Sequence, residues 1–163
     1  MSASELQSVW WTWVASQPRD SSPISDTSGR FCMRDQPKDV WLLAGSDGVR
    51  LDRQCRIPAD KPVLVPAVNS LECDNFMATA RGEVLLDDVA QELIRIESAP
   101  FTFDGVAGNA VNGTAGRSTA AGCGLWAWIA PPSAGEHTLV VRGSAGSLAT
   151  DVTYRLIVGA DLQ

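Results

Sequence analysis

A chain of 163 residues fits one domain and buries roughly 70% of its unfolded surface, enough for a core without metal support. A formal charge of −6 and a pI near 4.6 exclude the basic patch that phosphate binding needs, and the 13 Lys and Arg form no run. No apolar stretch approaches the about 18 residues of a membrane span, so neither nucleic acid nor membrane insertion is expected.

The chain opens on an amphipathic helix over residues 1–18. Leu6, Val9, Trp10, Trp13 and Val14 share one face, Ser2 and Glu5 have capping-box spacing, and Pro18 cannot continue the ladder. These indoles bolt the helix onto a sheet. Trp11 lies off the stripe, where it serves the same core or else lines a pocket or meets a partner. The first residues lack a basic start and a long aliphatic stretch. The chain as given is therefore expected in the cytoplasm, and is exported only if a leader has been removed. Residues 19–39 are rich in Ser, Asp, Pro and Gly and read as an irregular segment anchored by Phe31 and Cys32. Asp26 reads as a turn-former bonding its own backbone.

The period then becomes two, and residues 40–68 read as strands. Residues 40–44 are a continuous apolar run, the pattern of a strand buried on both faces. Val49, Leu51, Cys55 and Ile57 alternate with Arg50, Asp52, Gln54 and Arg56. Arg53 falls on the apolar side, as an ion pair at the sheet margin or as a charge turned toward a cavity. Val63, Leu64, Val65 and Val68, beside Pro62 and Pro66, read as a short edge-like strand. Over residues 84–96 the period lengthens. Leu86, Val89, Ala90, Leu93 and Ile94 share a helical face, with Asp87 and Asp88 near its start, which predicts a short inserted helix. Residues 105–124 read as a long loop with one weak strand.

Residues 124–159 predict a three-strand antiparallel meander. Its first strand carries Trp126 and Trp128 on one face; Pro131 and Pro132 turn the chain; His137, Leu139 and Val141, then Val152, Tyr154, Leu156 and Val158, alternate with polar or exposed positions. About eight strands in all predict a mostly β protein, an antiparallel sandwich or jelly roll with an N-terminal amphipathic helix and one short inserted helix.

Cys32, Cys55, Cys73 and Cys123 permit three pairings, or stay as buried thiols. If they pair, Cys32 joins Cys55, since the two flank residues 40–45. One histidine and no C-x-x-C make a weak case for zinc, no D-x-D-x-D series appears for calcium, and no cofactor is implied. His137 is the one residue a Ser-His-Asp triad would have to use; directly after a turn, it reads as structural. The best polar cluster is Asn69, Glu72 and Asp74, near a strand end where sandwiches often bind ligands. A carboxylate held beside indoles there would serve as an acid or base, whereas a solvated one would be a loop residue only.

Segments across nearly the whole chain carry a resemblance: WWTWVASQP, DTSGRFC, VWLLAG, RQCRIPADKPVLVPAVN, GLWAWIAPPSAGEHTLVV and DVTYRL. Together they resemble a group of uncharacterised bacterial proteins with a Trp-rich N-terminal helix and a C-terminal PP-x-x-x-G-x-H-T hairpin. The resemblance implies a β-sandwich with helical decoration, and export for many members, with cysteines placed like Cys32 and Cys55. It implies no reaction. Two functions are therefore expected in competition. One is a binding module for an apolar or sugar-like small molecule, a glycan or a protein partner, working through Trp11, Trp41, Asn69, Trp126 and Trp128. The other is a small cofactor-independent enzyme of cyclase or isomerase type, using Glu72, Asp74 or Arg53 at an apolar pocket.

Overall fold

Ser2 caps the first helix by accepting the Glu5 N–H at 3.1 Å, and α1 runs Ala3–Val14. The computed structural model describes residues 1–159, and the rest of them are mostly strand. Two sheets form. The first has the order β1 (Trp41–Leu42), β3 (Val63–Ser70), β7 (Gly116–Ile129), β6 (Leu93–Gly105). The second has the order β2 (Arg50–Ile57), β9 (Leu148–Val158), β8 (Gly135–Ala145), β4 (Arg81–Leu86), β5 (Val89–Ala90). A single turn of helix, α2 (Phe76–Thr79), leads into β4. Pairings are antiparallel except β1 with β3 and β2 with β9, which are parallel.

The sheets face each other across one core, filled by Cys55, Ile57, Val65, Ala127, Leu139, Val141, Val152 and Leu156 among others. Small residues let the sheets approach where β3 crosses β4 and β8. A Cβ added to Gly143 would lie 2.2 Å from the Ala67 carbonyl oxygen, so no side chain fits there. A third layer covers the other face of the first sheet. Leu6, Trp10 and Val14 of α1 pack on Leu64, Ile96, Phe101 and Trp126, with the Trp10 and Trp126 rings edge-to-face at 5.4 Å. Alternation along β7 divides the two cores: Leu125, Ala127 and Ile129 face the second sheet, and Trp126 faces α1. The outer face of the second sheet is wet and charged, with Arg142 between Glu83 and Asp151 at 3.3 and 3.5 Å.

Several expectations are corrected. The helix expected over residues 84–96 is a hairpin, β4 and β5, running into β6. Asp87 and Asp88 both take positive φ, 48° and 68°, the backbone of a two-residue hairpin turn that Asp tolerates better than most side chains. The helical stripe was never a buried one, since Val89 is 63% and Ile94 42% exposed. The C-terminal meander is also revised. Strands β8 and β9 form a long hairpin, but β7 pairs with β3 and β6 in the opposite sheet. Pro131 and Pro132 lack the N–H groups of a tight hairpin, and the chain crosses between the sheets there. Strand β3 is central rather than edge-like, with Pro66 accommodated at a register shift between Pro66 and Val68. Residues 116–124, expected mostly as loop, extend β7. Their small side chains leave room for α1, and a Cβ on Gly122 would meet Oε1 of Gln7 at 2.4 Å.

Both disulfides form, Cys32–Cys55 and Cys73–Cys123, with Cα separations of 6.1 and 5.8 Å. The first fastens the irregular 19–39 segment to β2, as the flanking positions predict.

Candidate functional site

The three layers converge on a pocket of about 290 Å³. Its walls are Trp10 and Trp11 of α1, Arg19, Ile24 and Ser25 of the following turns, residues 45–47, Pro66 and Asn69 of β3, Ala110, and Leu148 and Thr150 of β9. The three indole N–H groups of α1 that face inward differ in one respect. Trp10 donates to the Leu43 carbonyl at 2.9 Å and Trp13 to the Arg34 carbonyl at 2.8 Å. Trp11, only 8% exposed, finds no acceptor for its own N–H among the described residues. Nδ2 of Asn69 is likewise buried without a partner. A buried donor left unpaired costs about 1–3 kcal/mol. The indole N–H groups of Trp41 and Trp126 are also unpaired, and of these four donors Trp11 and Asn69 are the two that stand in the wall of this pocket, where an occupant can supply the acceptor.

The pocket walls are held from behind by Arg53. Strand alternation turns this side chain inward, 3% exposed, and it forms no ion pair among the described residues. Its guanidinium donates to the carbonyls of Asp26 at 2.6 Å, Ala44 at 2.9 Å, Gly45 at 3.1 Å and Ile24 at 3.2 Å, and to the Tyr154 hydroxyl at 2.9 Å. Ile24 and Gly45 both line the pocket. Arg53 is thus neither a marginal ion pair nor a charge in the cavity; it orders the two loops that build the cavity. Asp26 completes the frame, as a turn-former should: its carboxylate accepts the N–H groups of Ser28, Gly29 and Phe31 at 3.0, 2.8 and 2.9 Å. Thr150 donates to the Ser46 carbonyl, and Ser46 Oγ accepts the Asp151 N–H, both at 3.1 Å, which ties residues 45–47 to β9.

Of the residues singled out by sequence, the pocket unites Trp11 and Asn69. Trp126 lies beneath, fully buried against Trp10. Trp41 packs in the core between the sheets, with the Lys61 ammonium 5.8 Å from its ring. Trp128 is 40% exposed and lines none of the cavities described here. Glu72 and Asp74 stand exposed in a separate surface groove beside α2, away from any indole. A wider groove of about 760 Å³ follows the outer side of α1 past Glu5, Ser8, Thr12 and Asp35, and holds none of these candidates. Sequence reading missed Arg19, Ile24, Asp47 and Thr150, which share no period or motif. The one signal pointing to them was Arg53, a charge at an inward strand position that had to find partners in the loops.

His137 sits elsewhere, in a constellation that superficially matches a triad. Its Nδ1 lies 2.5 Å from Oδ2 of Asp87, and its Nε2 lies 3.3 Å from Oγ of Ser133. Nε2 is closer still, 2.7 Å, to the Ser133 carbonyl, an acceptor only. Both ring nitrogens therefore donate, and Nε2 has no lone pair for the serine proton. The Asp87 hydrogen bond raises the His137 pKa above its ordinary value, against partial desolvation and with help from the Ser133 carbonyl. The Thr138 N–H, then His137, hold Asp87 below the usual carboxylate range. The group is a latch between the β4–β5 turn and β8, the structural role its position implies.

Compared with known proteins, the chain matches no family model, no curated protein and no solved structure. The functional reading rests on the pocket.

Proposed function

We propose that the protein is a binding module that takes a small molecule in the pocket between α1, β3 and β9. The carrying observation is the pair of unpartnered donors, the Trp11 indole N–H and the Asn69 amide, in the walls of that pocket. The volume stands near the lower end of the roughly 300–1,000 Å³ of small-molecule sites, which fits an occupant smaller than a typical drug. Trp10, Trp11, Ile24 and Leu148 supply apolar wall, and the polar groups fix orientation. The carboxylates considered for an enzyme, Glu72 and Asp74, lie outside it, so no observation favours the catalytic alternative.

The test is a thermal-shift and calorimetric screen of small sugars, amino acids and uncharged aromatic fragments against the intact chain. A parallel screen uses Ala110→Phe, which fills the pocket from a half-buried position in the loop after β6, with urea unfolding confirming that the variant folds. The expected result is at least one compound that binds the native chain and loses about tenfold or more of its affinity in the variant. Absence of any binder, or binders indifferent to Ala110→Phe, would sink the proposal.

A further inference from the structure

The pocket carries charge of both signs. Arg19 and Asp47 line it, both exposed, and neither forms an ion pair with any described residue. They are not paired with each other either, although they share one small cavity. The buried part of the wall presents donors without acceptors, Trp11 and Asn69. A cationic ligand leaves those donors unmet and faces Arg19. A simple anion meets them and Arg19 but is repelled by Asp47. A neutral polyol satisfies the donors and leaves both formal charges unused. A ligand with a carboxylate, an ammonium and a short apolar part uses every feature at once.

Resting on the binding role proposed above, we infer that the pocket takes a small amino-acid-type zwitterion. Its carboxylate accepts from Arg19, Trp11 and Asn69, its ammonium donates to Asp47, and its side chain lies against the apolar wall. Hydrogen bonds to charged groups contribute about 1.5–3 kcal/mol each, roughly ten- to a hundredfold in affinity, so each ligand charge is separately measurable.

The experiment titrates the intact chain calorimetrically with the twenty common amino acids. For each binder it adds the amide, which lacks the carboxylate charge, and the N-acetyl derivative, which lacks the ammonium. Glucose and indole serve as uncharged probes. The inference expects at least one amino acid to bind about tenfold or more tighter than both derivatives. It further expects Asp47→Asn to abolish discrimination against the N-acetyl derivative, and Arg19→Gln to abolish discrimination against the amide. Both positions are exposed, so neither substitution threatens the fold. If glucose or indole binds, sensitive to Ala110→Phe, while no amino acid does, the zwitterion is refuted and the binding module stands. Equal affinity for an amino acid and its two derivatives refutes the zwitterion as well. If no probe binds at all, both readings fall together.

Discussion

Arg53 shows how a single inward position organises a surface. A guanidinium without a carboxylate is normally costly to bury, but five donors in a fixed fork suit a cage of four carbonyls from two chain segments and one tyrosine hydroxyl. Replacement by Met keeps the aliphatic volume and orphans those carbonyls. Arg53→Met is expected to lower stability by about 3 kcal/mol, read from the midpoint of urea unfolding. Arg53→Lys, with a point charge and fewer directed donors, should recover only part of the loss. A midpoint unchanged in the Met variant would show that the loops at 24–26 and 44–45 are ordered by something else. The sequence made this residue visible as an exception to alternation, yet left its partners open. Strand period reports which way a side chain points and nothing about the loops that close over it.

Among the elements, the β4–β5 hairpin was the hardest to read, and the reason is specific. LLDDVAQELI satisfies a helical spacing, and two acids at its start favour a helix as well. What decides is a contact from fifty residues on. Asp87 donates its N–H to the Thr138 carbonyl, and its carboxylate accepts the Thr138 N–H and binds His137. Such a tertiary clasp outweighs a local preference of tenths of a kcal/mol per residue. The clasp also predicts a pH dependence. His137 has a raised pKa in the fold, so its contribution is complete below the ordinary imidazole value and is lost as pH rises through the raised one. Asp87 has a lowered pKa, so its share is present above the ordinary carboxylate value and is lost as pH falls through the lowered one. The latch is therefore complete in the mildly acidic window between them. The Tm gap between native chain and Asp87→Asn should be widest near about pH 5 and narrow by about pH 9. A gap constant across that range would show that the imidazolium contributes nothing. By contrast, α1 and the alternation of β2, of β9 and of the last five residues of β7 were plain in the sequence, because burial on defined faces writes itself directly into a period.

At the scale of the whole molecule, the fold is a sandwich with a helical third layer, and the pocket exists only where the three meet. This is why its residues were legible singly and not as a set. Trp11 stood out for leaving the helical stripe and Asn69 for following an apolar strand. Only the packing of α1 over β3, with β9 beside them, makes neighbours of the two. Two covalent ties act at the same scale. Closing loops of 23 and 50 residues, each bridge is expected to contribute about 2–4 kcal/mol. Native protein unfolded in guanidinium without reductant should show no reactive thiol among its four cysteines, and reduction should lower Tm sharply. Free thiols in the unreduced, unfolded chain would contradict the bridges.

The parallel pairing of β2 with β9 has a consequence in time. Arg50 lies beside Asp151 and Ile57 beside Val158, so the strand that carries Arg53 and Cys55 waits for a partner about a hundred residues away. Its bond to Cys32 closes a loop of only 23 residues, at a smaller entropic cost than the strand pairing. Long-range closure of this kind places the domain among slow folders, in the range of milliseconds to seconds. The cavity then becomes a late product of assembly, complete only when β9 docks and brings Leu148 and Thr150 to its wall.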